Sequence, residues 1–428
     1  MNIVMLTNTF TPHVGGVARS VQAFTRELRR RGHRVLVIAP AFEGMPESEG
    51  DVIRLPAWRH FSEGDFSVPA PLPGRVARAL NAFEPEIVHA HHPFLLGETA
   101  LRVGASRNLP VVFTHHTLYE RYTHYLPADS PRWRHFAIEV ATGFGNLCDA
   151  VIAPSRSVAE LLAARGVNTP VEVIPTGVDS GSFAPGDGAR LRDRLGIPGQ
   201  AFLVGHVGRL APEKSPGFLA EAVARFLSRE PKSHFLLAGA GPCAREMEEA
   251  FARRDLSSRL HRLYVLSGPE LVEAYRAMDA FVFASRSETQ GMVLTEAMAT
   301  GAPVIALDGP GVREVVRDRF NGRLLENADE EEFAMALSWL AGLDIEEVRG
   351  LRANVLATAE EFSMRRSADR LLDLYRGLKG PRFGEKDLES SRWASTRRFF
   401  REELKILQNL AHAAEEALRL QKGEGGGG

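Results

Sequence analysis

The stretch 283–305, FASRSETQGMVLTEAMATGAPVI, decides how the rest of the chain reads. It opens on the end of an apolar run, Phe281, Val282 and Phe283, which predicts a strand. It then crosses a polar turn and closes on a run that predicts a helix starting at Gly291 and stopping at Gly301-Ala302-Pro303. The turn carries Glu288 and the helix carries Glu296. Gly291, Met292 and Val293 supply backbone N–H groups that no earlier helical turn can satisfy, which makes the helix start an anion site. Carboxylates accept hydrogen bonds from vicinal hydroxyls, and helix N-termini hold phosphate. A ligand with both parts, sugar hydroxyls and a diphosphate, is a nucleotide sugar. The same residues also fit a plainer description, a solvated acid in a turn and a second acid on the helix that follows.

Composition bounds the alternatives. A chain of 428 residues accommodates two domains and an appendage. Its 44% hydrophobic and 25% charged residues are those of a soluble globular protein, and a net charge of −2 offers no general attraction for nucleic acid. Cys148 and Cys243 lie far apart and match no metal or redox spacing, so a reducing compartment is expected. No apolar run approaches the roughly 20 residues that span a bilayer. The opening MNIVMLTNTF lacks a basic n-region and reads as a first strand. A cytoplasmic protein is expected, with peripheral membrane association left open.

Outward from the quoted stretch, the first half alternates strand and helix. A strand over 2–6, a loop over 7–16 containing Gly15 and Gly16, a helix with inward Val17, Val21, Phe24 and Leu28, and a strand over 33–40 form a mononucleotide-binding unit. Gly15-Gly16 is either a tight turn or a close approach of backbone to ligand. Further strands are predicted over 86–90, 111–114, 150–153 and 171–174, so the sheet is parallel and doubly wound, with ligands at the carboxyl ends of its strands. His89, His91, His92, His115 and His116 lie at such ends. Ten of the fourteen histidines precede residue 136, yet their spacing lacks the partners that a zinc site needs, and no metal is expected. Neutral imidazoles bonded to sugar or phosphate oxygens are the alternative. Beyond them, Tyr119, Tyr122, His124 and Tyr125 make an aromatic-rich stretch that fits the packing face of a surface helix.

The second half restarts the pattern. Residues 181–200 read as a linker, and strands are predicted over 202–207, 234–238, 264–266, 280–283 and 304–306. After the first of these, Gly208, Arg209 and Lys214 place two cations beside a predicted helix start, where the dipole disfavours them. Either they are solvated, or an anionic diphosphate compensates them, Arg209 as a planar fork and Lys214 as a point charge. A glycine turn over 308–314 predicts another helix start, and 330–375 reads as helical.

These motifs, taken together, resemble those of the retaining glycosyltransferase family 4. Glu288 and Glu296 match its Glu-x7-Glu signature, Gly208-Arg209-Leu210 with Glu213-Lys214 its diphosphate motif, and His116-Thr117 its acceptor-domain loop. The resemblance covers about residues 1–378. It implies the GT-B fold, two Rossmann-like parallel-sheet domains facing across a cleft that closes on the substrates, with a helix over 362–378 crossing back to the first domain. It implies Glu288 on the donor sugar, Glu296 on the ribose, His116 on the transferred sugar, and Arg209 with Lys214 on the diphosphate. Gly15, Gly16, Gly208, Gly291, Met292 and Val293 are the expected backbone contacts to donor, and His13, Thr117, Tyr119, Tyr122 and Tyr125 the expected acceptor residues. Where many members have Phe-Gly, this chain has Thr289-Gln290-Gly291, which with the aromatic loop resembles the diacylglycerol glucosyltransferase branch. A UDP-sugar donor is therefore expected, UDP-glucose by branch resemblance, although no single residue separates it from UDP-galactose or a GDP-sugar, and no cofactor is expected. No Asp-x-Asp triplet is present, so cations and helix dipoles neutralise the leaving group in this reading.

The acceptor stays open between diacylglycerol and a soluble sugar or polyol. Residues 1–180 hold seventeen basic and seventeen acidic residues, where an anionic membrane favours cations. A non-catalytic nucleotide-sugar-binding protein is the alternative of another class, and the intact Arg209, Lys214, Glu288 and His116 set argues against it. Residues 381–428 fall outside the resemblance. Phe400, Leu404, Leu407, Ala411, Ala414 and Leu418 step by four and three, a heptad seam. That helix packs on the body, joins copies of the chain, or lies on a membrane, although seven acids between Glu385 and Glu416 oppose the last.

Overall fold

The computed structural model describes the chain except residues 14, 43–44, 46–48, 59–67, 70–72, 122–129, 379–391 and 425–428. It divides into a first unit, residues 1–175 and 368–428, and a second, residues 176–367. The first runs β1 (Asn2–Leu6), α1 (Gly16–Arg30), β2 (Arg34–Pro40), β3 (Val52–Leu55), a small pair β4 (Ala57–Trp58) and β5 (Val68–Pro69), α2 (Pro73–Phe83), β6 (Ile87–Ala90), α3 (Leu96–Arg107), β7 (Val111–Thr114), α4 (Pro131–Leu147), β8 (Ala150–Ala153), α5 (Arg156–Ala164) and β9 (Val171–Val173). The second runs α6 (Ala189–Arg194), β10 (Phe202–Val207), α7 (Pro216–Arg229), β11 (Ser233–Ala238), α8 (Ala244–Ala252), β12 (Leu260–Leu263), α9 (Gly268–Ala277), β13 (Ala280–Phe283), α10 (Met292–Ala299), β14 (Val304–Leu307), β15 (Gly322–Leu325), α11 (Glu330–Ala341) and α12 (Ile345–Glu361). Helix α13 (Met364–Leu378) starts in the second unit and continues into the first, which α14 (Arg392–Glu424) completes.

Both main sheets are parallel. The first has the order β3-β2-β1-β6-β7-β8-β9 and the second β12-β11-β10-β13-β14-β15. Successive parallel strands need helical crossovers, and a sheet so wound is covered on both faces, so its strands are apolar on both. In the second unit Phe281 and Phe283 enter one cluster with Leu203, Leu236 and Val304. Their neighbours Ala280 and Val282 enter the opposite cluster with Val204, Phe235 and Ile305, the period-two alternation of a strand. In the first unit Val4, Leu6, Val88, Ala90, Val111 and Phe113 line one such core. The chain winds one way from β1 through β2 and the other way through β6; β10 plays the same part between β11 and β13. These two switch points open crevices at the strands' carboxyl ends.

Several sequence expectations need correction. The strand expected over 264–266 is instead β12, whose Leu260 and Leu263 pack against the two cores, while Tyr264 and Val265 stand 80% and 56% exposed. The glycine turn over 308–314 leads to a turn only; Arg313 N bonds Gly309 O and Val316 N bonds Val312 O without propagating. Residues 181–200 are no free linker: Leu191 is buried in the second unit's core, and Arg192 donates to Ala277 O at 2.6 Å and to Asp279 Oδ2 at 2.6 Å. The helical run 330–375 is three helices, the second opened by an Asp344–Glu347 capping box. The tail helix α14 packs on α3 and α4, as one reading expected, but with the opposite face: Ile406, Ala413 and Ala417 are buried, whereas Leu404, Leu407 and Leu418 of the heptad seam are exposed.

Candidate active site

The second unit's switch point gathers the residues singled out in the quoted stretch. Strand β10 delivers Gly208 and Arg209 at its carboxyl end, and β13 delivers the turn 284–291 beside it. Pro212–Lys214 form a single tight helical turn, and Ser215 in left-handed backbone (φ 52°) separates it from α7. The Lys214 ammonium donates to Glu288 Oε1, and both side chains are about four-fifths buried. Arg209, half exposed, donates to Glu213 Oε1 at 2.6 Å. Glu213 in turn offers its backbone carbonyl to Ser287 Oγ at 3.2 Å, tying the two loops together.

This arrangement revises the electrostatic argument. The sequence leaves the cations either solvated or compensated by a diphosphate, but each is paired with a carboxylate, Arg209 within its own loop and Lys214 with Glu288 on the adjacent loop after β13. An anion reaching these cations would compete with the carboxylates for them, so charge-assisted bonds would be redistributed rather than created. The helix start is less encumbered. Gly291 caps α10 at φ 75°, a conformation for which glycine is suited, and no side chain caps it. The first bond closing the helix is Leu294 N to Gly291 O, at 3.0 Å, so the amides of Gly291, Met292 and Val293 precede the ladder. Glu296 sits one turn further, 6% exposed, accepting from the Tyr275 hydroxyl at 2.9 Å. A buried carboxylate fixed on one side by a phenol presents a defined orientation to a hydroxyl partner.

Three supporting groups escaped sequence reasoning. His206 on β10 stacks over Phe281 and Phe283 and bonds Val282 O at 2.9 Å through Nδ1. Burial, with the nearby Lys214 charge, lowers its pKa to about 4, against the opposing effects of the Val282 carbonyl and Glu288. A neutral ring that donates at Nδ1 leaves Nε2 as an acceptor. Gln290, within the atypical Thr289-Gln290-Gly291, reaches Thr176: its Oε1 accepts from Thr176 N at 2.7 Å and its Nε2 donates to Thr176 O at 2.5 Å. Gly311 backs the same turn, donating to Glu288 O at 3.1 Å, and a Cβ there would lie 2.4 Å from Gln290 N.

In the first unit, the loops after β1 and β6 are stitched across the switch point. Asn8 N donates to His92 Nδ1 at 3.1 Å, and Asn8 Oδ1 accepts from Leu96 N at 3.1 Å, an N-terminal amide of α3. Leu95 preceding it has φ 57°, a strained value for a branched side chain. Gly15 caps α1 with extended backbone, and a Cβ there would meet the His13 ring at 2.9 Å; Gly16 faces open space. His116 bonds His91 Nδ1 at 3.0 Å, the two rings stacked 5.2 Å apart. His89 is held between Tyr375 Oη at 2.6 Å and Thr114 Oγ1 at 2.7 Å. Burial pushes His89, His92 and His115 down to about 3, and burial with neighbouring imidazoles pushes His91 and His116 well below the ordinary value. Tyr119 lies in a single helical turn, edge-on to Phe94 and His115 at 5.5 and 5.8 Å, beside a half-buried Thr117. The expected acceptor residues Tyr122 and Tyr125 lie outside the described residues. Among the described residues no group of three or more His, Cys, Asp or Glu is placed to hold a metal ion.

Comparison with known proteins matches the chain to a family. The family model described as Glycosyltransferase Family 4 matches residues 14–181, and that described as Glycosyl transferases group 1 matches residues 201–342. The chain is 28% identical over 371 residues to the alpha-monoglucosyldiacylglycerol synthase of Streptococcus pneumoniae, covering 85% of this chain and 84% of the relative. It is 32% identical over 335 residues to a GDP-mannose-dependent alpha-mannosyltransferase of Mycobacterium tuberculosis, covering 76% and 84%. The fold matches that of Anabaena HepE, whose crystal structure is a complex with UDP-glucose, with a TM-score of 0.68 at 22% identity over 88% of this chain and 99% of that one.

Proposed function

This chain belongs to glycosyltransferase family 4, and from that premise we propose that it moves glucose from UDP-glucose to the hydroxyl of diacylglycerol, retaining anomeric configuration without a metal ion. The observation that carries the reading is the Lys214–Glu288 pair beside the uncapped start of α10. One part of that grouping suits phosphate and the other suits sugar hydroxyls, and they are built on adjacent loops of one switch point. In this reading Lys214, Arg209 and the amides of residues 291–293 hold the diphosphate and stabilise the charge that grows on it as the glycosidic bond breaks. Glu288 orients the sugar, and Glu296, already fixed by Tyr275, takes the ribose hydroxyls. His116, with Gly15 and Gly16, belongs to the first unit's share, contacting the transferred sugar as a neutral imidazole.

The lipid acceptor is supported by the Streptococcus pneumoniae relative, whose name specifies monoglucosyldiacylglycerol, and by the Thr289-Gln290-Gly291 form of the signature. We place the enzyme at the inner face of the membrane as a peripheral protein. Among the described residues no helix is long and apolar enough to cross a bilayer. A second reading keeps the chemistry and changes the substrates, to a soluble sugar or polyol. It is favoured by the seventeen-to-seventeen balance of basic and acidic residues over 1–180, and the mannosyltransferase relative names a GDP-sugar instead.

Labelled glucose supplied as UDP-glucose, with diacylglycerol in mixed micelles, EDTA present and a soluble acceptor panel in parallel, separates these. Label in the lipid phase supports the proposal. Label in soluble product alone, or no transfer from this donor, removes it in favour of the second reading.

A further inference from the structure

Helix α14 has two faces with different fates. Arg398, Glu402, Ile406, Ala413 and Ala417 are buried against the first unit, where Arg398 Nε donates to Ala105 O at 3.1 Å and Asn409 Nδ2 to Val140 O at 3.3 Å. The heptad seam, turned from that face by roughly 140° at the α-helical repeat, is exposed: Phe400 by 67%, Leu404 by 57%, Leu407 by 56% and Leu418 by 60%. Ala411 and Ala414 between them are exposed as well. A helix already anchored along one side thus carries a second, unpartnered apolar stripe with coiled-coil spacing.

We propose that this seam docks a second copy of the same chain, with the two α14 helices antiparallel about a two-fold axis near residue 409. The seam is symmetric about that point. An antiparallel partner sets Phe400 against Leu418, Leu404 against Ala414 and Leu407 against Ala411, and the same three layers recur in reverse. Large side chains then meet small ones, which fills the space between two helices at interior density. Parallel pairing would stack Ala411 on Ala411 and Ala414 on Ala414, leaving adjacent layers underfilled. The antiparallel register also brings Arg401 beside Glu415 of the second copy, once on each side, as an isologous interface requires. Parallel pairing instead puts Glu415 against Leu410.

The flanks distinguish this occupant from a bilayer. They carry Arg401, Gln408, His412, Glu415 and Arg419, with Glu415 and Glu416 each bonded to Arg419 at 2.6 Å, a mixed set rather than a cationic rim. The six layers would bury on the order of 1,000 Å² in total, at the low end of specific interfaces, so association should depend visibly on concentration.

Sedimentation velocity of the full chain across about two decades of concentration tests this. The wild type should shift from monomer to dimer, and Leu407→Glu should raise the dissociation constant by at least about tenfold while its thermal midpoint, read at a concentration where both are monomers, stays unchanged. Arg401→Glu should weaken the dimer, and Arg401→Glu combined with Glu415→Arg should restore it, a rescue that only the antiparallel register provides. A wild type monomeric throughout, a dimer indifferent to Leu407→Glu, or a double exchange no better than the single one would each overturn the proposal. Monomers that co-sediment with phosphatidylglycerol vesicles through Leu407 would assign the face to the membrane instead.

Discussion

Lys214 and Glu288 neutralise each other in the resting site, so replacing either has a different consequence. On the proposed assignment, in which Glu288 is the sugar contact, Lys214→Ala removes a phosphate cation and leaves Glu288 in a site it shared with that cation, repelling the diphosphate. UDP affinity should fall about 10- to 100-fold, the worth of one charge-assisted bond, as measured by calorimetry. Glu288→Ala removes the sugar contact and frees Lys214 for phosphate, so UDP binding should hold or tighten while transfer is suppressed. The reverse pattern would remove the assignment. Both residues were legible in the sequence because their motifs are local. Gln290 was legible only as a departure from pattern, since its partner Thr176 lies 114 positions away; nothing in the spacing shows a side-chain amide closing on a distant backbone. Gln290→Ala leaves a buried N–H and C=O unsatisfied and should cost about 1–3 kcal/mol, read as a lowered unfolding free energy with the UDP-binding enthalpy largely retained. An unchanged stability would show that the turn holds Thr176 by other means.

Among the elements, strands with apolar runs were read nearly to the residue, because burial on both faces leaves a continuous apolar signature. β12 was misplaced: at the sheet edge its sequence, LHRL, sets two polar residues between its leucines, and the more apolar Tyr264-Val265-Leu266 that follows drew the assignment outward. Helix α14 misled more instructively. Its heptad-spaced stripe is the exposed one, and the buried stripe contains Arg398, whose partner Ala105 O only the fold supplies, and Glu402, which pairs with Lys405 on its own helix. Hydropathy ranks faces by composition, whereas docking selects the face that fits. At Gly143 on α4, an added Cβ would lie 1.6 Å from Asn409 Oδ1 of α14. Gly143→Ala should therefore loosen the docked helix and destabilise the first unit by about 1–3 kcal/mol, seen as earlier thermal unfolding. Retained stability would mean that α14 contributes little to this unit.

For the whole molecule, the first unit buries His89, His91, His92 and His115 and half-buries His116, all as neutral rings, with desolvation the leading cause in each. Their folded pKa values lie below the unfolded value, so the unfolded chain binds more protons as pH falls. Stability is complete above about pH 6.5 and should be lost below it, by about 1 kcal/mol per histidine per pH unit, down towards the folded values of about 3 for His89, His92 and His115. Urea denaturation at pH 7.5 and 5.5 should show that loss; equal stability would contradict neutral burial. The two-sheet fold was evident from alternating strand and helix, while its switch points needed the strand order and the imidazole packing was visible only as an unusual density of histidine. The central claim is that a nucleotide sugar is held where β10 and β13 deliver their loops in the second unit. Amide hydrogen exchange with and without UDP tests it most directly. Slowed exchange across residues 208–215 and 288–294 is the predicted result, and unchanged exchange in both loops at saturating UDP would contradict it.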